Sequence, residues 1–296
     1  MALSIPCSTT NVISIDEYLD HVRTQVKIRD FDSVAGSARM LRALANDRAL
    51  IVRGLNSRIE NYLADGVLPS AQALFLAGGD GFYVRAAIWP AINDMVSGRA
   101  YQDQFAYNLA HDHNFSFMTV NHLGPGYETE LYEYDYDKVE GFVGEAVDLR
   151  FVEKVRFGAD IAMLYRANRD VHVQYPPTEL TITVNLMVAD RDSLLRDQYF
   201  FDLATRTIAG YPPELAATKR QSLLNLAGFL GDDNTAQLLN DLALRHPCKK
   251  TRLSAFNALS RQQPHEAASI WGRASADPAP LVANTARKRL QNLENA

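Results

Sequence analysis

Three histidines carry the clearest chemistry in the sequence, and they lie on two segments of the chain. His111 and His113 are separated by one residue in H-D-H-N-F-S-F-M-T-V, and His172 follows later in D-V-H-V-Q-Y-P-P. Alternate side chains of an extended strand share a face, so His111 and His113 are predicted to point to the same side. Three imidazoles on neighbouring strands could bind one face of a metal ion and leave its other positions open.

The strands that must position these histidines are predicted from short segments separated by turn residues. G-P-G at 124–126 predicts a turn, and Tyr127 then begins a returning strand. The predicted strands cover residues 111–120, 127–135, 147–157, 160–165, 171–175 and 178–188. This pattern predicts an antiparallel β-barrel or jelly roll that encloses a small-molecule cavity.

Helices are predicted on both sides of the strands. Ser14 and Glu17 fit a capping box that opens a helix, and two further helices are predicted near 32–46 and 47–64. After Gly210, five helical segments show an offset of about 30 residues that resembles a HEAT-like repeat. The predicted fold class is therefore α+β, with an N-terminal helical region (1–100), a strand domain (101–212) and a C-terminal helical-repeat segment (213–296).

The two histidine segments resemble the paired motifs of the cupin superfamily, over roughly residues 101–210. His111 and His113 match the His-x-His of the first motif, Gly124 lies at the expected distance, and His172 matches the second motif. The motif glutamate is replaced by Phe117 or Met118, as in the three-histidine cupins, among them thiol dioxygenases and gentisate-type ring-cleaving dioxygenases. The resemblance implies that His111, His113 and His172 bind non-haem Fe(II), which acts with O2.

The histidine ligands alone do not identify the metal. Imidazole also suits other divalent ions, among them zinc, copper and nickel. His122 has the opposite strand parity to His111 and is expected to face outward. Glu128, Glu130 and Glu133 lie on the returning strand, where one of them could approach the metal or act as a base.

Residues for substrate binding are predicted around the metal. Arg85 stands alone among apolar neighbours in F-Y-V-R-A-A-I-W, so it must find an anion, in a structural ion pair or as a clamp for a substrate carboxylate. The carboxylate clamp is the role that thiol-dioxygenase-like cupins imply. Phe117 is in phase with the histidines, and Tyr107 and Tyr134 are predicted to contact substrate or to line the interior.

Two residues are candidates for catalysis. Tyr165 ends a predicted strand and could donate a proton, and Glu133 could serve as a base. Each has a structural alternative. An aromatic ring commonly lines a barrel, and the acidic, tyrosine-rich strand 127–135 could be a solvated face.

Composition narrows the function classes. The 296 residues carry a net charge of −5, which argues against nucleic acid as a partner. No apolar run reaches the length of about 18 residues that a membrane span needs. Cys7 and Cys248 are too few for a disulfide framework, and the first residues show no export signal, so a cytoplasmic protein is expected.

The function that these observations favour is a non-haem Fe(II)-dependent oxygenase. Its expected partners are O2 and a small polar metabolite, such as an amino acid, a thiol or a related acid. The helical segments are the expected contacts of any homo-oligomer. A metal-dependent isomerase or lyase is the first alternative, and a non-enzymatic ligand-sensing or adaptor protein is the second.

Overall fold

The computed structural model describes residues 2–65, 72–94, 105–188, 191–212 and 216–295 of the chain. Within these ranges the fold is α+β, as predicted, with nine α-helices and twelve antiparallel strands. The strands are β1 (Leu3–Pro6), β2 (Ala73–Gly79), β3 (Phe82–Trp89), β4 (Ala110–Asp112), β5 (Phe117–Leu123), β6 (Tyr127–Glu133), β7 (Arg150–Phe157), β8 (Ile161–Tyr165), β9 (Asp170–Gln174), β10 (Thr181–Val188), β11 (Phe200–Asp202) and β12 (Thr207–Gly210). The helices are α1 (Ile15–Gln25), α2 (Phe31–Gly36), α3 (Ala38–Ala45), α4 (Leu50–Asp65), α5 (Ala216–Leu230), α6 (Asp233–Arg245), α7 (Lys249–Gln262), α8 (Ala267–Ala274) and α9 (Pro280–Glu294).

The chain divides into two compact units. The first comprises Met1–Tyr134 with Asp148–Asp190, and the second comprises Asp135–Val147 with Arg191–Ala296. The predicted domain boundary at residue 100 lies outside the described residues, and the boundary after 212 adjoins another such segment. The three-domain division therefore stays a prediction.

The first unit is built from two antiparallel sheets. One has the strand order β1-β8-β5-β10-β3-β2, and the other has the order β4-β9-β6-β7. The predicted closed barrel is thus corrected to two separate sheets. The predicted N-terminal helical region also contributes strands, because β1, β2 and β3 all belong to the six-stranded sheet.

The correction arises within the strand predicted over 111–120. The structure breaks it into β4 and β5, which lie in different sheets. The residues between them are held by the turn that precedes β9: the N–H of Asn168 donates to the His113 carbonyl at 2.7 Å, and the N–H of Ala167 donates to the Ser116 hydroxyl at 3.0 Å. These contacts replace ladder hydrogen bonds and direct the chain from one sheet to the other.

The N-terminal helices form a layer on the outer face of the six-stranded sheet. The capping box of α1 is confirmed, since the Ser14 hydroxyl accepts from the Glu17 N–H and the Glu17 carboxylate accepts from the Ser14 N–H. Tyr18, Leu41 and Leu44 of this layer are fully buried. They belong to one apolar core with residues of the sheet, among them Met118 and Leu186.

Strand β10 shows how the sheet separates two environments. Val184 and Leu186 face the helical core, whereas Thr183 and Asn185 alternate with them and line the interior between the sheets. Side chains of a strand alternate between its faces, so T-I-T-V-N-L assigns its polar residues to the interior. The interior of the first unit therefore contains a cavity lined partly by polar side chains, beside an apolar cluster that includes Phe117, Leu131 and Phe157.

The second unit consists of the β11–β12 pair and helices α5 to α9. Five α-helices are present among its described residues, as predicted, and Phe256, Ile270 and Trp271 are among the residues of their common core. The HEAT-like classification stays a prediction. None of the described helices is long and apolar enough to cross a membrane.

Candidate metal centre

The imidazoles of His111, His113 and His172 converge in the interior of the first unit. Nε2 of His172 lies 3.1 Å from Nε2 of His111 and 3.1 Å from Nε2 of His113. A potential ligand atom from each of the three residues lies within 4.8 Å of the other two. The cause is register, because His111 of β4 and His172 of β9 are directly opposed in the antiparallel ladder. His113 follows β4 immediately and completes the group.

These spacings fit one shared cation. Two imidazole nitrogens that bind an ion at about 2.1 Å lie about 3.0 Å apart in an octahedral site and about 3.4 Å apart in a tetrahedral one. Hydrogen bonding alone explains the contacts poorly. The His111 Nδ1 lies 2.9 Å from the Leu109 carbonyl, to which it donates, so the His111 Nε2 carries a lone pair. One N–H on His172 could serve His111 or His113, but not both.

Burial keeps the three imidazoles in the neutral form that a metal requires. Burial lowers the pKa of His111 and outweighs the bond to Leu109, which raises it. The pKa of His113 is well below its usual value because of burial, and then because of His111, His172 and Arg85. The pKa of His172 is also well below its usual value, through burial and the neighbouring His111. The lone pairs are therefore available at neutral pH.

The group borders a cavity of about 70 Å³. The six-stranded sheet contributes Arg85, Phe117 and Asn185 to its wall, and the other sheet contributes Gln174 beside the histidines. The space equals two or three waters at about 30 Å³ each, so a carboxylate-sized group fits beside the histidines.

Arg85 and Phe117, two predicted substrate contacts, both line this cavity, and their substrate-binding roles stay predictions. Arg85 is partly buried, its Nε is fully buried without a hydrogen-bond partner among the described atoms, and burial lowers its pKa. Phe117 packs edge-on against His113, with ring centroids 5.1 Å apart, and stacks on Tyr165 at 4.6 Å. Phe117 therefore holds the position of one imidazole and one tyrosine.

The predicted tyrosines occupy different places. Tyr165 lines the cavity, its ring lies 5.0 Å from that of His172, and it is buried. Burial raises the pKa of the Tyr165 phenol, so it stays protonated at neutral pH. The Tyr107 hydroxyl donates to the Pro90 carbonyl at 2.9 Å, and its ring packs against Trp89 and Phe105. The substrate-binding role of Tyr107 stays a prediction.

Glu133 and Tyr134 take part in contacts outside the histidine group. The Glu133 carboxylate pairs with Arg150 and, at 3.1 Å, with Arg166. The Tyr134 hydroxyl donates to the buried Asp112 carboxylate at 2.6 Å. These contacts give both residues a structural role. The predicted catalytic role of Glu133 and the predicted substrate-binding role of Tyr134 stay predictions.

The additional metal ligands considered from the sequence have other partners. Glu128 pairs with Lys154 at 2.9 Å, and the Glu130 carboxylate accepts from the Tyr132 hydroxyl at 3.0 Å. The Nδ1 of His122 lies 2.8 Å from the Ala45 carbonyl, which agrees with the expected outward direction. Among the described residues, these three histidines are the group whose geometry could hold a metal ion.

Two cavity residues, Asn185 and Gln174, were not singled out from the sequence. Gln174 lies two residues after His172 on β9, and this strand parity is a signal that places both on the cavity face. Asn185 continues the polar face of β10, and the alternation of T-I-T-V-N could have indicated it.

Comparison with known proteins yields no assignment. No family model matches the sequence, and no curated protein is significantly similar. Among solved structures, hydroquinone 1,2-dioxygenase from Sphingomonas sp. TTNP3 gives a TM-score of 0.26 at 8% identity over 43% of this chain and 70% of that one. RmlC from Streptococcus suis gives 0.26 at 9% identity over 46% and 55%, and the DMSP lyase DddQ from Ruegeria pomeroyi DSS-3 gives 0.25 at 12% over 64% and 79%. These low scores carry no argument about this chain, whose site must be interpreted from its own geometry.

Proposed function

We propose that this chain is a metal-dependent, cupin-type oxygenase whose ion is held by His111, His113 and His172. The observation that carries the proposal is the convergence of three imidazoles beside a cavity, with the His172 Nε2 3.1 Å from the Nε2 of each of the other two. Fe(II) bound there would supply redox chemistry with O2 and a positive charge for the substrate. The proposed substrate is a small polar molecule.

The surrounding side chains have separate tasks in this proposal. Arg85 provides a positive charge that orients an anionic substrate group. Tyr165 holds a proton on its phenol oxygen and can donate it to the substrate. Phe117 packs against both His113 and Tyr165 and keeps water away from one side of the cavity.

Metal analysis tests the centre directly. Purified wild-type protein should contain about one metal ion per chain, and His113→Ala should contain much less, because losing a ligand weakens binding strongly. His265→Ala is the matched control. Because His265 is exposed and lies in the second unit, this variant should retain the metal. Equal metal content in the wild type and His113→Ala would contradict the proposed centre.

Oxygen dependence tests the reaction class. After anaerobic reconstitution with Fe(II), substrate-dependent O2 consumption should appear in a screen of small acids, amino acids and thiols. His113→Ala should show none. Product formation without O2 uptake would instead favour the alternative, a metal-dependent lyase or isomerase on the same site.

A further inference from the structure

Hydrogen bonds around Asn185 fix which end of its side-chain amide is available to a ligand. The Trp89 indole N–H, which can only donate, lies 3.3 Å from the Thr183 hydroxyl oxygen. Thr183 therefore donates its own hydrogen to the Asn185 Oδ1 at 3.0 Å, and Thr119 donates to the same oxygen at 2.6 Å. Both lone pairs of that oxygen are used, and the NH2 group is what remains for a molecule in the cavity.

Arg85 stands beside this amide. Asn185 of β10 is directly opposite Arg85 of β3 in the ladder, and it is opposite Thr119 of β5 on the other side. Directly opposed residues of neighbouring strands project from the same face. Arg85 and Asn185 therefore form a row of donors on the six-stranded sheet, and both line the cavity.

Gln174 supplies a donor from the opposite sheet. Only 1% of the residue is exposed, it lines the cavity, and its Nε2 has no hydrogen-bond partner among the described atoms. A buried polar group without a partner is costly, so the site gains stability when a ligand acceptor reaches it.

The charge of the cavity wall favours an anionic ligand. Apart from the histidines, Arg85 is the one ionisable side chain with a positive charge in the described part of the lining. This part of the wall contains no aspartate or glutamate. An anion would find a counter-charge and several N–H donors here. An ammonium group would find no carboxylate in the described lining, and burying it without a counter-charge would be unfavourable.

From this arrangement we infer that the cavity selects a small carboxylate that lacks an ammonium group, with its oxygen atoms held by Asn185 and Gln174 and its charge opposed by Arg85. The inference rests on the proposed function, because it assigns the substrate class of the same site. It narrows that class from polar metabolites in general to small acids without an ammonium group, and it makes Asn185 and Gln174 specificity-determining residues.

Three probes of nearly equal size test the selection. Pyruvate, lactate and L-alanine share a carboxylate on a two-carbon backbone but carry an oxo, a hydroxyl and an ammonium group. Binding to the Zn(II)-loaded full-length protein is measured by isothermal titration calorimetry, since Zn(II) has no redox chemistry. Pyruvate and lactate should bind, L-alanine should bind at least about tenfold more weakly, and propane-1,2-diol, which lacks the carboxylate, should not compete.

Two variants at position 174 test the donor. Gln174→Met keeps the side-chain length, removes the N–H, and should weaken pyruvate binding about tenfold with unchanged zinc content. Gln174→Glu adds a carboxylate and should shift the preference from pyruvate toward L-alanine. A Gln174→Met protein that retains zinc and binds pyruvate like the wild type would overturn the role of Gln174.

The wild-type comparison stands even if a variant fails to fold, which a thermal unfolding curve would reveal. L-alanine binding as tightly as pyruvate, or no measurable binding of either acid, would overturn the selection. Such a result leaves the metal centre intact if zinc is still bound at His111, His113 and His172. Absence of zinc from the wild type would instead reject the proposed function itself.

Discussion

At the scale of single residues, the site depends on how a few buried polar groups find partners. Register brings His111 opposite His172, and the Leu109 carbonyl sets the tautomer of His111. Between the two histidines of the first motif, Asp112 is fully buried and accepts the Tyr134 hydroxyl. Because strand neighbours alternate, this contact lies on the face of β4 away from the imidazoles and anchors the strand that carries them.

Removing the Tyr134 hydroxyl tests how much its hydrogen bond to Asp112 contributes to stability. Tyr134→Phe leaves the buried Asp112 carboxylate with one donor fewer and should lower the free energy of unfolding by about 2 kcal/mol. Tyr132→Phe is the matched control, because its hydroxyl bonds the partly exposed Glu130 and its loss should cost under about 1 kcal/mol. Urea unfolding measures both. Equal, small losses would show that the Asp112 contact contributes little.

At the scale of elements, turns and connections determine where the strands lead. The β5–β6 turn contains Gly126 with φ +81°, and a Cβ there would collide with the Phe157 carbonyl. Glycine is required at position 126 for two reasons. The backbone there is left-handed, and the backbone at the end of β7 passes close to it. Both reasons rest on backbone atoms, which cannot move aside as a flexible side chain would.

Gly126→Ala should therefore be severe, whereas Gly144→Ala should be mild. Gly144 has φ +89°, but a Cβ there would meet nothing within 4 Å. Conformational strain alone costs about 1–2 kcal/mol, and the clash at Gly126 adds to it. Thermal unfolding of both variants measures the difference, and similar losses would mean that the Phe157 backbone yields easily.

In the second unit, the Arg252–Asp277 pair ties the connection before α7 to the turn before α9. Arg252 makes two hydrogen bonds to Asp277, at 2.8 and 2.7 Å, and also donates to the carbonyls of His246 and Pro247. Burial alone would raise the pKa of Asp277. The bonds from Arg252 and from the Ala279 N–H outweigh it, and the pKa lies below its ordinary value.

The sign of the pH effect follows from this lowered pKa. The stabilisation is fully present above the pKa of an unfolded aspartate, about 3.9, and is lost as the pH falls through the lower folded value. Asp277→Asn should cost about 3 kcal/mol at pH 7, because Arg252 is left buried without its counter-charge. Urea unfolding between pH 7 and pH 3 should show a shallower pH dependence for the variant. Parallel curves would contradict the assignment to Asp277.

Local patterns were enough to predict the elements that are determined locally. Periodicity located α1 and the helices of the second unit, strand parity indicated that His111 and His113 share a face, and the resemblance to the cupin motifs added His172. The break between β4 and β5 could not be predicted, because the alternation of H-D-H-N-F-S-F continues through it. That break depends on hydrogen bonds from residues 167 and 168, which are distant in sequence. The available end of the Asn185 amide likewise depends on bonds to residues from other strands.

At the scale of the whole molecule, metal binding and folding should be linked. The three histidines come together only in the folded first unit, so an ion that binds them stabilises that state by mass action. At a free metal concentration about 100 times the dissociation constant, the gain is about 2.7 kcal/mol. A chain with two compact units can also unfold in more than one step.

Calorimetry with and without metal tests this linkage. EDTA-treated wild type should unfold at a lower temperature than metal-loaded protein, and the shift should be confined to the transition of the first unit. His113→Ala should show no shift on metal addition, and His265→Ala should respond like the wild type. A shift of the same size in His113→Ala would place the stabilising ion elsewhere.

The alternating faces of β10 have an evolutionary consequence. Val184 and Leu186 pack in the core with the helical layer, while Thr183 and Asn185 line the cavity. Substitutions at Thr183 and Asn185 can therefore change the cavity without disturbing the packing of Val184 and Leu186. A codon library restricted to positions 183 and 185 should yield altered ligand preferences among largely folded clones, making this strand a natural starting point for re-engineering the protein.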